Sequence, residues 1–380
     1  MLRYALKMLI GDKTKYIGII LGLSFASFII AQQAAIFIGI MSRTFSFVTD
    51  TSQANIWVMD PKALYIDDIK PLRDTELYRV RSIEGVDWAV PLYKGLIRAR
   101  LSDGNFQSCI LVGIDGSTMI GAPPEMVEGQ IEDLRSPDAI IVNDVGAMDK
   151  LAHDFPLDHD PLRLGDRLEL NDHRASVVGI CKVTRTFQSQ PVIYTTYDRA
   201  LSWAPPERKL LSFVLAHAQD PKATCQKIRA ITGLAAYTPD EVKWMTVSYY
   251  LKYTGIPINF GVAVILGFII GIAIAGQTFY NFTVDNIRYF ATFKAMGANT
   301  KLLIQMIVFQ SAWVGIIGWG IGVGAACLFG FAFRFTELSF RMPFSLFVLT
   351  FFAMGFISIF AAWLSVRKVK NIDPSIVFKS

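Results

Sequence analysis

Two kinds of pattern alternate along the chain. Four windows carry no formally charged side chain: Tyr16 to Ser42, Tyr253 to Val284, Leu302 to Phe333 and Met342 to Val366, with 27, 32, 32 and 25 residues. About 20 apolar residues in a helix cross the hydrocarbon of a bilayer, so each window predicts a transmembrane helix. The first follows a basic segment. Gln32 and Gln33 interrupt its apolar run, and no small-x-small cleavage pattern precedes the next polar stretch. It therefore reads as a permanent span rather than a signal peptide.

Between the first two windows the rhythm changes. Short β-rich runs separated by turn residues predict strands at Asn55 to Met59, Trp88 to Val90, Leu96 to Arg100, Cys109 to Val112, Ala139 to Val142, Val192 to Thr195 and Leu211 to Ala216. Arg167 to Leu170 and Ala175 to Ile180 read as a hairpin around Asn171-Asp172-His173. Helices are predicted at Thr75 to Ile83, from Val145 to Leu151, after Thr195 and at Ala223 to Ile231. Bends are expected at Gly121-Ala122-Pro123-Pro124 and at Val183 to Gln190, as candidate lobe edges. The fold class is thus an α-helical membrane protein with four transmembrane helices and a large mixed α/β extracytoplasmic domain between spans 1 and 2.

Charge orients this layout. The segments before span 1, between spans 2 and 3, and after span 4 hold 11 Lys and Arg against Asp12, Asp285 and Asp373. Four spans put these segments on one side, which the positive-inside rule makes cytoplasmic. The insert carries net −4, the three basic segments +8 and the short link between spans 3 and 4 +1, together the formal +5. The basic excess therefore belongs at an anionic inner membrane face, not on a nucleic-acid surface. The expected order is a cytoplasmic amphipathic segment (1–15), span 1 (16–42), the extracytoplasmic domain (43–252), span 2 (253–284), a cytoplasmic segment (285–301), span 3 (302–333), a short outer loop (334–341), span 4 (342–366) and a cytoplasmic tail (367–380).

Catalytic chemistry is hard to place. The one nitrogen- and carboxylate-rich stretch, HDFPLDHD (His153 to Asp160), reads as a solvated acidic loop. HExxH and paired CxxC motifs are absent, and no metal site is expected. Cys109, Cys181 and Cys225 lie beside apolar runs and read as buried thiols. There is no Walker motif. In the spans, the Gly18/Gly22, Gly267/Gly271 and Gly320/Gly324 spacings predict close helix packing. Asn286 to Leu303, between spans 2 and 3, offers Ile287, Phe290, Phe293 and Met296 as an apolar surface, with Arg288, Lys294 and Lys301 as charge and Gly297 as a helix end.

FKAMGANTKLL (Phe293 to Leu303) resembles the cytoplasmic motif of FtsX-like ABC transporter permeases, the macrolide-export, lipoprotein-release and cell-division class. VRKVKNIDPSIVFK (Val366 to Lys379), DAIIVNDVGAMDKL (Asp138 to Leu151) and LGDRLELNDHRASVVGIC (Leu164 to Cys181) are similar to its terminal, strand-helix and hairpin segments. TFYNFTVDNIRYFATFKAMGA looks closest to the DevC-like branch known from cyanobacteria. The resemblance implies a non-catalytic, multi-pass subunit of a bacterial plasma (inner) membrane, with cytoplasmic termini and a periplasmic domain. It holds no cofactor, and ATP and Mg belong to a partner ATPase. It implies a cytoplasmic ABC ATPase dimer, a second permease copy, a membrane-fusion protein and an outer-membrane duct. By the same resemblance, Arg288, Phe293, Lys294, Met296 and Gly297 couple the chain to the ATPase, and the cargo is a hydrophobic compound or glycolipid. Two alternatives stay open: an ATPase-coupled regulator of a cell-envelope enzyme, and a membrane sensor without transport.

Overall fold

In the computed structural model, residues 2–101, 104–155, 158–205, 209–334 and 336–370 are described. The chain forms two compact units, one of residues up to Ile40 with those from Gly255 onward, the other Met41–Thr254. The first elements are a short helix α1 (Leu2–Gly11) and a long helix α2 (Lys13–Thr44). Asp12 stands between them, and its carboxylate accepts from the Lys15 backbone N–H at 3.3 Å. The Lys15 ammonium, 2.9 Å away, holds the Asp12 carboxyl below its usual range.

The second unit opens with a one-turn helix α3 (Ser46–Asp50), then strand β1 (Ile56–Met59) and helix α4 (Thr75–Arg81). Strands β2 (Trp88–Arg100) and β3 (Phe106–Ile114) form a long antiparallel pair. After β4 (Glu125–Glu128) and a 3-10 turn come β5 (Ala139–Asn143) and helix α5 (Asp144–Met148). Strands β6 (His153–Phe155) and β7 (Asp158–Asp160) pair with each other. Then come β8 (Arg167–Leu170), β9 (His173–Lys182), β10 (Val192–Thr196), helix α6 (Tyr197–Trp203) and β11 (Phe213–His217). Helix α7 (Pro221–Thr232), β12 (Ala235–Tyr237) and helix α8 (Pro239–Tyr253) close the unit.

These strands, apart from β6 and β7, make one sheet in the order β12-β1-β11-β2-β3-β10-β5-β9-β4, with β8 against β2 and β9. The pairs β3–β10 and β5–β9 are parallel. The two predicted runs Trp88 to Val90 and Leu96 to Arg100 belong to the single strand β2. It pairs with β11 through its first half and with β3 through its second, so it joins both halves of the sheet. Alternation assigns the faces. Trp57, Leu92, Val112, Phe213 and Leu215 pack on one side, while Ile56, Val58, Val214 and Ala216 pack with Val80 of α4 and Ile228 of α7 on the other. Asn171 and Asp172 take positive φ values of 47° and 65° and close the β8–β9 hairpin in two residues, the left-handed pair that a tight hairpin needs. Helix α5 is shorter than the predicted segment from Val145 to Leu151. Neither candidate lobe edge divides the unit.

Three further long helices follow: α9 (Ile256–Asp285), α11 (Thr300–Ala332) and α12 (Phe344–Lys370), with the short α10 (Ile287–Ala295) between α9 and α11. Together with α2 they are, among the described residues, the four helices long and apolar enough to cross a membrane. Their common core includes Leu23, Ile30, Phe279, Phe282, Val314 and Ile357. Ile258, Ile265 and Ile269 of α9 are exposed, as suits side chains solvated by lipid. Ser102 and Asp103, part of the 334–341 link and the tail from residue 371 lie outside the described residues.

Candidate functional site

The segment between α9 and α11 is a tight elbow. Asn286 ends α9, its backbone N–H and side-chain amide both donating to the Phe282 carbonyl, at 3.1 and 2.8 Å. Helix α10 then ends on Gly297, whose φ is +94°. The Ala298 N–H donates to the Phe293 carbonyl at 2.9 Å and the Gly297 N–H to the Lys294 carbonyl at 3.1 Å. This is the paired-bond Schellman ending, which needs a left-handed residue where glycine carries no steric cost. Two residues later Asn299 caps α11, its side chain accepting from the Lys301 N–H at 3.3 Å.

The elbow sits on its own small core. Phe290, Ala291, Leu303, Met306 and Ile307 are buried together with Ala5 of α1 and Ala362 of α12, and Phe293 and Ala298 pack against them. The buried Gln310 side chain donates to the Ala5 carbonyl at 2.7 Å, so α1 joins the same platform. At the ends of α2 and α9, Lys15 pairs with Asp285.

Of the five residues singled out for coupling, Arg288 and Met296 are exposed, Lys294 and Phe293 are half-buried, and Gly297 makes the turn. Phe293 spends part of its ring on the chain's own core. Tyr289, 60% exposed, stands beside Arg288 and was not singled out from sequence. The sequence offered Phe290 as surface instead, and the structure buries Phe290 while leaving its neighbour Tyr289 exposed. The surface thus presents an aromatic ring, a thioether and two basic groups on an anchored turn. Such a surface fits a groove with apolar walls and an acidic rim.

The glycines divide. A side chain at Gly22 would meet Ile274, one at Gly267 would meet Ile29 and Ile30 at 3.2 Å, and one at Gly271 would meet Ala26 at 2.8 Å. All three lie on the α2–α9 contact. Gly18, Gly320 and Gly324 face open space in the chain. On α11 the close approach to α2 is made instead by Gly318 and Gly322, against Leu23, Ser24 and Ser27.

Among the described residues, no three His, Cys, Asp or Glu side chains gather as a metal site. The side chains of residues 153–159 within HDFPLDHD lie outside that description. Cys109, Cys181 and Cys225 are buried and free. Burial pushes the Cys109 thiol up to about 12 and the Cys225 thiol up to about 11, which leaves neither a ready nucleophile.

Four spanning helices, an α/β insert after the first and a short helical elbow between the second and third define a multi-pass membrane protein of permease architecture. Residues 17–231 match the MacB-like periplasmic core domain family, and residues 245–374 match the FtsX-like permease C-terminal family. The chain belongs to the FtsX-like family of ABC transporter permeases with a MacB-like periplasmic core domain. An uncharacterised ABC transporter permease of Mycobacterium tuberculosis is 24% identical over 319 residues, 81% of this chain and 79% of the relative. A second, of Mycobacterium bovis, is 23% identical over 220 residues, 57% of this chain and 58% of that one. The periplasmic region of MacB from Actinobacillus actinomycetemcomitans is similar at 13% identity and a TM-score of 0.38, over 52% of this chain and 94% of that one. The extracellular domain of the transporter YknZ from Gram-positive bacteria is similar at 13% identity and a TM-score of 0.35, over 49% and 99%.

Proposed function

We propose that the chain is the permease subunit of an ABC exporter. A separate ATPase hydrolyses ATP with Mg, and this chain carries the resulting motion along its helices to the insert domain. The observation behind this reading is the elbow: a turn fixed by Gly297 and anchored by Phe290, with Arg288, Tyr289 and Met296 left exposed. An element that receives force needs support behind its contact surface, and the packing of Phe290, Ala291, Leu303 and Met306 behind this one supports the reading. The Lys and Arg asymmetry supports a cytoplasmic elbow with cytoplasmic termini, and an insert on the far side of a bacterial plasma membrane.

In this reading Met296 and Tyr289 fill an apolar groove of the ATPase, and Arg288 and Lys294 meet acidic or carbonyl groups beside it. Phe293 and Gly297 set the shape of the surface. Two copies of the chain bind two ATPases, and the insert domain engages a membrane-fusion protein that leads to an outer-membrane duct. The cargo is a hydrophobic compound or a glycolipid.

The test is ATP hydrolysis in lipid nanodiscs, with the chain reconstituted beside its cognate ATPase. A Tyr289→Ala, Met296→Glu double variant that inserts normally is expected to lose both permease-dependent hydrolysis and co-purification of the ATPase. Phe293→Ala with Lys294→Glu is expected to weaken both. Unchanged hydrolysis and assembly in both variants would overturn the assignment.

A further inference from the structure

Strand β2 carries an anomaly within the insert domain. Its residues Val90, Leu92, Lys94, Leu96, Arg98 and Arg100 share one face by alternation. Val90 and Leu92 are in the core, while Leu96, Arg98 and Arg100 are exposed. Lys94 falls where the cover runs out, yet it is only 6% exposed. Lysine is almost never buried without a partner. Here the ammonium lies 4.3 Å from the centre of the Phe47 ring and pairs with Asp67.

Asp67 differs from Lys94 in exposure and in attachment. Its side chain is 39% exposed. It sits on the 60–70 loop, whose own turns are held by other groups. Asp60 accepts from the Lys62 N–H at 2.8 Å, Asp68 from the Leu64 N–H at 3.1 Å, and Thr246 from the Ile66 N–H at 3.3 Å. Tyr65 stacks on Tyr249 of α8, 4.3 Å between ring centres. The loop therefore has anchors other than the Asp67–Lys94 pair.

Beside that pair is a cavity of about 400 Å³, lined by Tyr65, Tyr250, Phe187, Ile110, Gln188 and Gln190. The volume is within the range of roughly 300–1,000 Å³ usual for small-molecule sites. We propose that this cavity binds a small amphipathic anion, whose charged group replaces Asp67 at Lys94 while its apolar body lies between Tyr65, Phe187 and Tyr250.

The sign of the ligand follows from which member of the pair water can reach. A cation that captured Asp67 would leave the Lys94 ammonium buried with no counter-charge, the costly outcome for an ion pair. An anion that captures Lys94 releases a carboxylate that is already part-hydrated. Only the second exchange leaves both charges satisfied. This site is independent of the coupling reading, because it is built within the insert domain and its test involves no ATPase.

The probe is naphthalene-2-sulfonate, titrated calorimetrically into the full chain in nanodiscs, with empty nanodiscs as the baseline for partitioning. The sulfonate is expected to bind roughly tenfold more tightly than the uncharged naphthalene-2-sulfonamide, as a charge-assisted contact requires. Asp67→Asn removes the competing carboxylate and is expected to tighten sulfonate binding by about fivefold or more. Lys94→Met, which preserves the length of the side chain over Phe47, is expected to abolish the preference for the anion. A purely structural ion pair would give no tightening in Asp67→Asn, so this arm decides the question even if Lys94→Met fails to fold. Equal binding of the two probes, no tightening in Asp67→Asn, or no binding to either wild type or Asp67→Asn would overturn the proposal.

Discussion

The side-chain amide of Gln310 in α11 donates to the Ala5 carbonyl in α1 at 2.7 Å, with Gln310 fully buried. This bond ties the first helix of the chain to the helix that leaves the elbow, across a distance of 305 residues in sequence. Ala5 also packs with Phe290 and Leu303, so the elbow and α1 share one floor. A buried hydrogen bond of this kind contributes about 1 kcal/mol. Gln310→Leu keeps most of the volume and removes the bond. The expected result is a folded protein whose amides in residues 3–11 exchange with deuterium about fivefold faster. Unchanged exchange would show that packing alone holds α1.

The glycine contacts make a sharper distinction between residues that look alike in sequence. In GWGIGVG, Gly318 and Gly322 meet α2, while Gly320 and Gly324 face away. Introducing a side chain into a packed helix contact typically costs about 1–3 kcal/mol. Gly318→Leu and Gly322→Leu are expected to lower the thermal midpoint of the purified chain in detergent clearly. Gly320→Leu and Gly324→Leu are expected to stay within about 0.5 kcal/mol of wild type. A reversed order would mean that the helix phase is wrong.

That pair of spacings also shows where sequence reading stops. Charge-free length alone revealed the four spans, because a bilayer demands it. Two residues turn an α-helix by about 200°, so the 318/322 and 320/324 pairs lie on opposite faces of one helix. An all-round apolar sequence does not say which face meets a neighbour. In the insert, the β-rich runs bounded by turn residues were legible. The edge strands β4 and β12 were not: Glu125-Met126-Val127-Glu128 holds only two apolar residues between two carboxylates, and β12 is three residues long. Helix α8 is absent from the predicted helices although Thr238-Pro239-Asp240-Glu241 caps it, the Glu241 carboxylate accepting from the Thr238 N–H at 2.9 Å and Thr238 Oγ1 from the Glu241 N–H at 3.4 Å. Its apolar residues are spread around the axis, so periodicity does not pick it out. At the elbow, the helix end at Gly297 was legible because it has a local cause. The burial of Lys94 was not, because its partners Asp67 and Phe47 come from distant segments.

The buried thiols give a pH signature. An unfolded thiol ionises near 9.0, whereas burial holds the Cys109 thiol to about 12. At pH 8 about one Cys109 in ten thousand is therefore thiolate in the folded chain. Cys181 is raised further, by burial first and by Asp144 and Asp50 second. The expected outcome is negligible labelling of Cys109, Cys181 and Cys225 by a maleimide at pH 8, and full labelling after denaturation. The sign for stability is equally definite. A pKa raised on folding leaves the thiol contribution intact below pH 9 and removes it as pH rises from there toward 12. The insert domain is expected to lose stability to denaturant over that window, and a Cys109→Ala variant should lose less. Rapid labelling of the native chain would contradict the burial of these sulfurs.

The last expectation concerns the shape of the elbow rather than its contacts. Gly297 has a φ of +94° and nothing lies within 4 Å of the position its Cβ would take. Any penalty for a substitution there comes from the backbone, not from crowding. A side chain in the left-handed region costs about 1–2 kcal/mol, less for asparagine, which adopts it more readily. The strain can be relieved by breaking the bonds from Gly297 and Ala298 to Lys294 and Phe293, which would swing Met296 away from the surface it shares with Tyr289. If the elbow transmits the force of an ATPase, stimulated hydrolysis should fall in the order Gly297, Gly297→Asn, Gly297→Ala, Gly297→Val, with membrane insertion and the thermal midpoint of the insert domain unchanged. Measuring hydrolysis across this series separates geometry from chemistry, because none of the substitutions adds or removes charge. Equal stimulation in all four proteins would mean that the turn merely connects two helices.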